Sequence, residues 1–471
     1  MPTIKTPIIP THQQFANVDA PHELDKRAIC IFAATGFFLD TDTYWKDKKV
    51  LPAAAENILE DNGFLIESKT WFHWHYSPRD ISFETALEEF TSLFEQIISK
   101  QIKDSNVILP LSGGLDSRTQ AVALAKMKSP VTSYSYSFKG GYSESRIGAE
   151  IAKTCGFEFN EFTIEPGYLW PKLEELATVN QCYSEFTHPR QMAVLEELKK
   201  MNGTFSLGHW GDVLFDRGAP EGTTQEQLLE LVLKKIVKIG GMELATALWQ
   251  EWGLEDDFES YLRERIAILL DTIKIENTSA KLRAFKSLYW APRWTSVNLS
   301  VFGAAHPITL PYYDDRMCEF ICTIPEEYLV DRKLQIAYIK KENPALAKIM
   351  WQDQRPFNLF TFENNKSPNN LPYRIANKLK RELKHKMGKP YIQRNWELQF
   401  LGMENDEKLQ HWLFSENLHP FISKPLLAKF YNSFKTGDAV KYSHPLSMLL
   451  TLAVWRKNIY GTSINNTLTG V

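Results

Sequence analysis

The chain has 471 residues, of which 44% are hydrophobic and 24% are charged, and its formal net charge is −3. Single hydrophobic cores stop growing near about 250–300 residues, so we expect two or three packed units rather than one. The composition is typical of a globular protein and excludes the disordered and fibrous classes. The nearly balanced charge gives no overall electrostatic reason to expect nucleic-acid binding.

The cysteines and the apolar runs indicate where the protein is found. Five cysteines form no CxxC pair, and an odd number in apolar surroundings indicates buried, reduced thiols. The first residues lack the charged segment followed by a long apolar stretch that marks a secretion signal. No run of about 18 apolar residues is present, so no membrane span is predicted. We therefore expect a cytoplasmic protein.

Residues 1–80 are rich in turns and in short apolar runs. Three strands are predicted there, at 28–32, 63–66 and 70–72. At Ser82 the pattern changes to apolar residues at helical spacing, with Ser82 as the N-cap. We therefore predict a small β-rich N-terminal unit over residues 1–80 and a second domain over residues 81–471.

Strands and helices alternate in the next part of the chain. The predicted strands are 107–111, 131–138, 157–163 and 204–207, and the helices between the first three are about 117–126 and 144–155. This alternation predicts an α/β fold, a parallel sheet with right-handed crossovers and helices on both faces. Ligands of such sheets bind at the carboxyl ends of the strands. From about residue 224 a mainly helical region is predicted, with helices at 225–239, 243–252 and 258–272.

An unusual turn follows the first of these strands. Residues 109–119 read LPLSGGLDSRT, a strand end that leads into a helix through two glycines. Backbone N–H groups at such a helix start converge on an anion, and glycine lets phosphate oxygens approach the backbone. The hydroxyls of Ser112 and Ser117 can donate further hydrogen bonds, and Asp116 can hold Mg²⁺ against the phosphates. The sequence therefore predicts a phosphate loop, which is not a Walker A loop because no GK[ST] follows.

Residues 111–117, LSGGLDS, resemble the pyrophosphate loop of ATP pyrophosphatases in the form found in the asparagine synthetase family. Residues 204–215, TFSLGHWGDVLF, are similar to the family's strand followed by GEGSDELF. This second resemblance implies that Asp212 holds Mg²⁺ and that Gly208 lies against the nucleotide. The implied fold is the sheet of the adenine nucleotide α-hydrolases.

Two more segments are similar to the family. Residues 310–317, LPYYDDRM, followed by IPE at 324–326, are similar to the family's VPFLDxRL segment. Lys333 falls where the family has a catalytic lysine, although residues 331–333 could also form an ordinary exposed turn. The four matches run in order over about residues 82–357. Residues 1–80 would then be a degenerate remnant of the family's glutaminase domain, acting as a cover.

The resemblance implies a reaction and a set of site residues. The reaction is ATP-dependent amide-bond formation, in which a carboxylate is adenylated, pyrophosphate leaves and the acyl group passes to an amine. ATP and Mg²⁺ are the implied cofactors. The nucleotide site would contain Leu111, Ser112, Gly113, Gly114, Asp116, Ser117, Phe138 and Gly208, the metal site Asp116 and Asp212, and the catalytic residues would be Lys333 and His209.

Departures from the family pattern bear on the substrate. Glutamine-using members carry Cys at position 2 as the nucleophile, whereas this chain has Pro2, so glutamine hydrolysis would need a partner protein that supplies ammonia. His209 stands where the family has glutamate; it is predicted either to act as a neutral general base or to pack beside Trp210. Pro307 and Thr309 replace a family glutamate and arginine, which argues against asparagine as the product.

Several polar and aromatic residues have two interpretations. Arg118 is either an extra phosphate contact or a solvated helix residue, and Glu144 is either a partner for a helix dipole or a catalytic acid. The basic tract 377–389 is either a solvated helix face or a site for an anionic carrier, lipid headgroup or RNA. Four aromatic residues fit either a substrate larger than aspartate or core packing: Trp290, Trp294, Tyr312 and Tyr313.

Other functions stay open at this point. A nucleotide-binding pseudoenzyme or scaffold is one, and a tRNA-modifying ATP pyrophosphatase is another, although the slightly acidic charge and the lack of CxxC disfavour nucleic acid as a partner. Relatives with an intact loop but no Cys at position 2 include β-lactam synthetases, lasso-peptide cyclases and amide-forming enzymes of surface-sugar pathways. The expected substrates are therefore a small-molecule or peptide carboxylate and an amine, in natural-product or surface-sugar biosynthesis.

Overall fold

The computed structural model describes residues 1–103, 105–142, 145–416 and 418–468, with side chains described to residue 459. The strands are β1 Thr3–Lys5, β2 Phe15–Asn17, β3 Lys48–Val50, β4 Ala55–Leu59, β5 Leu65–Thr70, β6 Val107–Pro110, β7 Val131–Phe138, β8 Glu158–Ile164, β9 Thr204–Ser206 and β10 Ile308–Thr309.

The α-helices are α1 Lys26–Thr35, α2 Phe83–Ile102, α3 Asp116–Lys126, α4 Ser145–Cys155, α5 Leu169–Asn180, α6 Leu195–Lys200, α7 Gly211–Leu214, α8 Gln225–Ile236, α9 Gly241–Glu251, α10 Phe258–Thr272, α11 Thr278–Phe285, α12 Ser296–Gly303, α13 Asp315–Ile321, α14 Glu326–Leu329, α15 Lys333–Glu342, α16 Pro344–Lys348, α17 Leu371–Lys386, α18 Glu397–Phe400, α19 Met403–Leu413, α20 Lys424–Thr436 and α21 Ala439–Leu468. A π-helix spans Lys286–Thr295, and 3₁₀ turns span Arg190–Val194, Pro311–Tyr313, Val330–Arg332, Gln352–Gln354 and Phe362–Asn364.

Strands β6 to β10 form one parallel sheet in the order β10-β9-β6-β7-β8. Consecutive residues 107–109 of β6 are all buried, so the sheet is covered on both faces. The predicted α/β class is therefore confirmed. The chain runs outward from β6 in one direction to β7 and β8 and in the other to β9, which makes the β6–β9 boundary a switch point. Strand β10 was not predicted, because two residues show no periodicity.

The predicted elements around the sheet lie close to the observed ones. Strand β7 and helix α10 have the predicted bounds, and α8 and α9 differ from prediction only at their ends. The Ser82 hydroxyl accepts a hydrogen bond from the Thr85 N–H at 3.1 Å, as expected of an N-cap. Helix α4 is described from Ser145 onward, and Glu144 lies outside the described residues.

The predicted strand at 28–32 was wrong, because this segment lies inside helix α1. The Asp25 carboxylate accepts a hydrogen bond from the Ala28 N–H at 3.0 Å and caps the helix. A continuous apolar run has no period, so it does not distinguish a buried helix from a buried strand. The helix packs tightly on α9: a Cβ added to Gly241 would lie 2.2 Å from the carbonyl oxygen of Ala34.

The N-terminal strands form small antiparallel sheets. Strands β1, β4 and β5 pair in the order β1-β4-β5, and β2 pairs with β3. The predicted strands at 63–66 and 70–72 both overlap the single strand β5. Apolar residues of this region, including those of α1, belong to the same buried cluster as the main sheet. The domain boundary near residue 80 stays a prediction.

Candidate membrane spans were sought along the described part of the chain. None of its helices combines the length and the apolar character needed to cross a bilayer.

Candidate active site

The predicted phosphate loop joins β6 to α3. The Gly114 N–H donates to the Ser112 hydroxyl at 3.3 Å, and the Ser112 N–H donates to the Ser117 hydroxyl at 3.3 Å. These two bonds hold the turn in shape. The N-cap residue of α3 is Leu115, and its side chain makes no capping hydrogen bond. The first-turn N–H groups of α3 are therefore suited to an anion, with the helix dipole behind them.

Two glycines bring the loop after β9 against the start of α3. A Cβ on Gly208 would lie 3.0 Å from the Cβ of Asp116, and one on Gly211 would lie 2.3 Å from Asp116 Oδ1. The Cβ on Gly208 would also lie 3.1 Å from the backbone nitrogen of Ser117, so the two loops approach each other closely at this glycine. Asp212, in the first turn of α7, thereby faces the same cavity as Asp116.

A cavity of about 630 Å³ opens where these loops meet, at the carboxyl ends of β6, β7 and β9. This is the crevice expected at the switch point of the sheet. The predicted site residues that line it are Leu111, Ser112, Gly114, Asp116, Ser117, Gly208, His209 and Asp212. Most of the residues singled out from the sequence therefore lie around one cavity.

Gly113 does not line the cavity and contacts Gln352 instead. The Gly113 N–H donates to Gln352 Oε1 at 2.9 Å, and the Gln352 N–H donates to the Gly113 carbonyl at 3.0 Å. A Cβ on Gly113 would lie 2.7 Å from the Cβ of Gln352 and 3.0 Å from Ile147 Cδ1. The glycine is thus required by close packing. Its N–H, which the sequence assigns to phosphate, is bound to a side chain of the protein.

Arg332, rather than Lys333, lies at the loop. Lys333 is directed elsewhere, since its Nζ donates to the Glu327 carbonyl at 2.9 Å at an exposed position. Arg332 lines the cavity and donates to the carboxylate of Asp116. Gln335 also donates to Asp116, at 3.2 Å, and accepts a hydrogen bond from Arg332. The backbone of Arg332 is left-handed, with φ 62°, which turns its side chain away from the path of α15.

Phe138 also lies outside the cavity lining. Its ring faces the Arg190 guanidinium, 5.6 Å from the ring centre, and Arg190 itself lines the cavity. Strand β7 contributes Tyr134, Ser135 and Tyr136 to the cavity instead. The predicted strand is therefore correct, but the residues that line the cavity lie two to four residues before its last residue, Phe138.

Aromatic residues divide between the cavity and the core. Trp290 and Trp294, both on the π-helix, line the cavity, whereas Tyr312 and Tyr313 are buried. The Tyr312 hydroxyl accepts a hydrogen bond from Gln335 Nε2 at 2.8 Å, which supports the side chain that contacts Asp116. Core packing is therefore confirmed for Tyr312 and Tyr313, whereas contact of Trp290 and Trp294 with a large substrate stays a prediction.

Asp116 carries an electrostatic penalty in the cavity. Its pKa is raised to about 6, chiefly because the carboxyl is buried; attraction to Arg332 opposes this rise and repulsion from Asp212 adds to it. A carboxylate in this environment is stabilised by a nearby cation. Arg332 supplies one such charge within the protein.

Two bases on the cavity wall have lowered pKa values because they are buried. The pKa of His209 is lowered to about 4, so its imidazole is neutral at pH 7. Its Nδ1 is buried and has no hydrogen-bond partner within the described part of the chain, and its ring meets Phe302 edge-on at 5.9 Å. The pKa of Lys286, on the π-helix, is lowered to about 8, although attraction to Asp212 opposes this. The sequence had not indicated Lys286.

Both predicted roles of Arg118 were wrong. The side chain is fully buried, at 0% exposure, and contacts neither solvent nor the cavity. Its guanidinium donates to the carbonyls of Ile349 at 3.0 Å, Met350 at 2.8 Å and Gly113 at 3.2 Å. Arg118 therefore ties the start of α3 to the segment that carries Gln352.

A metal site was predicted from Asp116 and Asp212. Within the described residues, no group of three or more His, Cys, Asp and Glu side chains could hold a metal ion. The two carboxylates nevertheless fit Mg²⁺, which proteins bind through one or two carboxylates while substrate phosphates and waters complete its shell. Repulsion between the two carboxylates, which contributes to the raised pKa of Asp116, is what such a cation relieves.

Comparison with known proteins defines the class. The family model described as asparagine synthase matches residues 89–457. The chain belongs to this family, whose members are ATP-dependent ligases that act on small molecules. No curated protein matches it. Among solved structures, it is similar to NMN synthetase from Francisella tularensis, with 17% identity over 44% of this chain and 93% of that chain and a TM-score of 0.23. That TM-score does not establish a common fold, so the assignment rests on the family match.

Proposed function

We propose that this protein is an ATP-dependent ligase that adenylates a carboxylate, releases pyrophosphate and transfers the acyl group to an amine. The observation that carries this proposal is the meeting of the Ser112–Ser117 loop with Asp212 in one cavity that Arg332 and Lys286 also line. Acidic residues that can bind a cation, and cations that can bind phosphate, thus surround one space.

In the first step, a carboxylate oxygen of the substrate attacks the α-phosphorus of ATP. The bond from that phosphorus to its bridging oxygen breaks, and pyrophosphate leaves with the electron pair. The first-turn N–H groups of α3 and the hydroxyls of Ser112 and Ser117 would hold the departing group, with Arg332 and Lys286 balancing its charge. Mg²⁺, held by Asp116 and Asp212 when bound, would supply further charge neutralisation there.

In the second step, an amine attacks the carbonyl carbon of the acyl adenylate, and the bond to AMP breaks. The amine proton passes to the neutral imidazole of His209. This residue lines both the main cavity and an adjoining chamber of about 220 Å³, whose wall includes His188, Asn298 and Trp294. The chamber provides room for the acceptor beside the nucleotide.

The same proposal includes the nitrogen source and the setting. Because Pro2 stands in place of the family nucleophile, the amine arrives directly or from a partner protein rather than from glutamine hydrolysed in this chain. Trp290 and Trp294 provide a wall for a substrate larger than aspartate, as in natural-product or surface-sugar biosynthesis. All five cysteines are free thiols, which agrees with a reducing compartment and hence with the cytoplasm.

A nucleotide-binding scaffold without turnover is the second candidate. It is favoured by the contacts of the loop itself, since Gln352 takes the Gly113 N–H and Arg332 pairs with Asp116. Both contacts use groups that the ligase reaction needs.

Exchange of labelled pyrophosphate into ATP separates the two candidates. The wild-type protein is incubated with ATP, Mg²⁺ and candidate carboxylates, beside Asp116→Asn, Asp212→Asn and the matched control Asp61→Asn, which makes the same change at an exposed aspartate outside the cavity. The ligase predicts carboxylate-dependent exchange that falls about 10²–10³-fold in the first two variants and persists in the control. ATP binding without exchange would favour the scaffold, exchange that requires tRNA would indicate a tRNA-modifying enzyme, and neither binding nor exchange would reject the proposal.

A further inference from the structure

No residue of helix α17 is buried, and most of its side chains are exposed. Residues 371–389 carry a strong positive charge, although the chain as a whole has a net charge of −3. Glu382 is their one acidic residue. Their basic residues are Arg374, Lys378, Lys380, Arg381, Lys384, Lys386 and Lys389.

The same helix exposes large aliphatic side chains on one face. These residues recur every fourth position, so they lie above one another along the helix. They are Leu371, Ile375, Leu379, Leu383 and Met387, with exposures of 41%, 56%, 64%, 61% and 64%. We call this set the aliphatic stripe.

The helix is attached to the protein by its opposite, polar side. Its half-buried residues are Tyr373, Asn377 and Lys384, which lie across the helix from the aliphatic stripe. Lys384 Nζ lies 3.7 Å from the centre of the Tyr391 ring, which stacks at 4.1 Å on Tyr142. A surface helix normally turns its apolar face to the core. Here the apolar face points outward, so the body of the protein cannot bury it.

We propose that α17 docks on an anionic lipid bilayer. The aliphatic stripe would enter the boundary between headgroups and acyl chains, and the flanking cations would meet the lipid phosphates. Interfacial helices that bind membranes combine such a basic polar face, a strong apolar face and a low overall hydrophobicity. Each cation near an anionic surface also adds to the attraction.

The chemistry of the face favours lipid over other partners. A nucleic acid would satisfy the cations but would leave the aliphatic stripe in water. A second copy of this chain would bring its own basic helix against this one, with like-charge repulsion. An anionic bilayer alone offers both phosphates and an apolar layer on one continuous surface, at the spacing of a helix that lies flat.

Helix α17 is attached next to the carboxyl end of β7, on the side of the sheet where the candidate active site lies. Tyr142 belongs to the segment after β7, and Gly141 forms a parallel bridge with Ile392, just beyond α17. Docking through α17 would therefore bring the carboxyl edge of the sheet towards the membrane. The inference goes beyond the proposed function and does not depend on it, since binding is measured without any reaction.

Co-sedimentation of the full chain with vesicles tests the apolar part of the proposal. Vesicles of phosphatidylcholine mixed with phosphatidylglycerol are compared with vesicles of phosphatidylcholine alone. We expect binding to the anionic vesicles that decreases with salt, and a decrease of at least about tenfold in the double variant Leu379→Glu with Leu383→Glu. The matched control, Ile239→Glu with Ile268→Glu, makes the same charge change at exposed aliphatic residues elsewhere and should bind as the wild type does.

The charge part is tested by Lys378→Gln with Lys386→Gln, two exposed cations on the side of the aliphatic stripe. Because each cation contributes about 1 kcal/mol, or roughly fivefold, this double variant should bind about thirtyfold more weakly. Lys69→Gln with Lys153→Gln removes two exposed cations elsewhere and should have little effect. All substituted residues are exposed, so equal melting temperatures check the fold. Failure of the wild type to bind anionic vesicles, undiminished binding by the Leu379 and Leu383 variant, or retention by RNA or by an acidic protein alone would each overturn the proposal.

Discussion

Arg332 donates a hydrogen bond to the carboxylate of Asp116, although 216 residues separate them in the chain. The contact places a guanidinium beside the acidic residue of the phosphate loop, one position before the lysine that the sequence resemblance selects. A guanidinium always carries its charge and presents several donors in a fixed plane, so it can bind a carboxylate and a phosphate at once.

The first prediction follows from this contact. Arg332→Gln should lower carboxylate-dependent pyrophosphate exchange by about 10²–10³-fold, because the cation proposed to balance the charge of the departing pyrophosphate is lost. Lys333→Gln is the matched control on the neighbouring residue and should change the rate by less than about threefold, since its Nζ contacts the Glu327 carbonyl at the surface. The reverse pattern would return the catalytic role to Lys333.

The second prediction concerns Gly113 and Gln352. Gly113→Ala should lower the free energy of unfolding by about 1–3 kcal/mol, because the new Cβ would lie 2.7 Å from the Cβ of Gln352. Adding Gln352→Gly removes that Cβ and should recover part of the loss, which denaturant unfolding of the four proteins measures as a coupling energy.

Gly303→Ala is the control for this pair, since a Cβ there meets nothing within 4 Å. It should leave stability unchanged or raise it by up to about 1 kcal/mol, as alanine replaces glycine in a helix. A coupling energy of zero between the Gly113 and Gln352 substitutions would show that the two residues do not press on each other in solution.

The third prediction is a pH dependence set by Lys286. Burial lowers the pKa of this side chain to about 8, so it is cationic below that pH and loses its charge as the pH rises through it. If the cation attracts the nucleotide, kcat/KM should decline above about pH 8, because kcat/KM reports the free enzyme.

Lys286→Arg keeps the charge at all these values and should move the decline to higher pH. Lys286→Met removes the charge and should lower kcat/KM at neutral pH while abolishing the decline. A basic limb that is identical in Lys286→Arg and the wild type would assign the titration to another group.

The fourth prediction separates the two half-reactions at His209. His209→Gln should leave pyrophosphate exchange nearly intact but lower amide formation by about 10²–10⁴-fold, because only the second step needs a proton acceptor. Quench-flow measurement of AMP release against exchange distinguishes the two effects. Equal losses in both half-reactions would assign His209 to packing against Phe302 rather than to proton transfer.

The central part of the fold was predictable because its signals are local. Strand β7 and the turn into α3 each follow from residues adjacent in the sequence. The prediction of a strand at 28–32 was wrong because this segment carries no local signal. A run of apolar residues has no period, so the choice between helix and strand depends on the packing of α1 against α9.

The site was predictable in its loops but not in its supporting contacts. Asp116 and Asp212 follow strands, so their common location could be inferred. Arg118 and Gln352 act through carbonyl and amide contacts across 231 and 239 residues, and no local pattern reports such a pairing. The family resemblance selects Lys333, whereas the cation that contacts Asp116 is Arg332, one residue earlier, where the backbone is left-handed. No local pattern shows which of two adjacent cations is directed inward.

The paired hydrogen bonds between Gly113 and Gln352 bear on how tightly a nucleotide is held. A phosphate oxygen can accept from the Gly113 N–H only as the Gln352 amide turns away, so the protein contains its own competitor for that donor. The affinity for the nucleotide then reflects the replacement of the Gln352 oxygen by a phosphate oxygen at the Gly113 N–H. A protein without this amide would bind anions at the loop more tightly but less selectively.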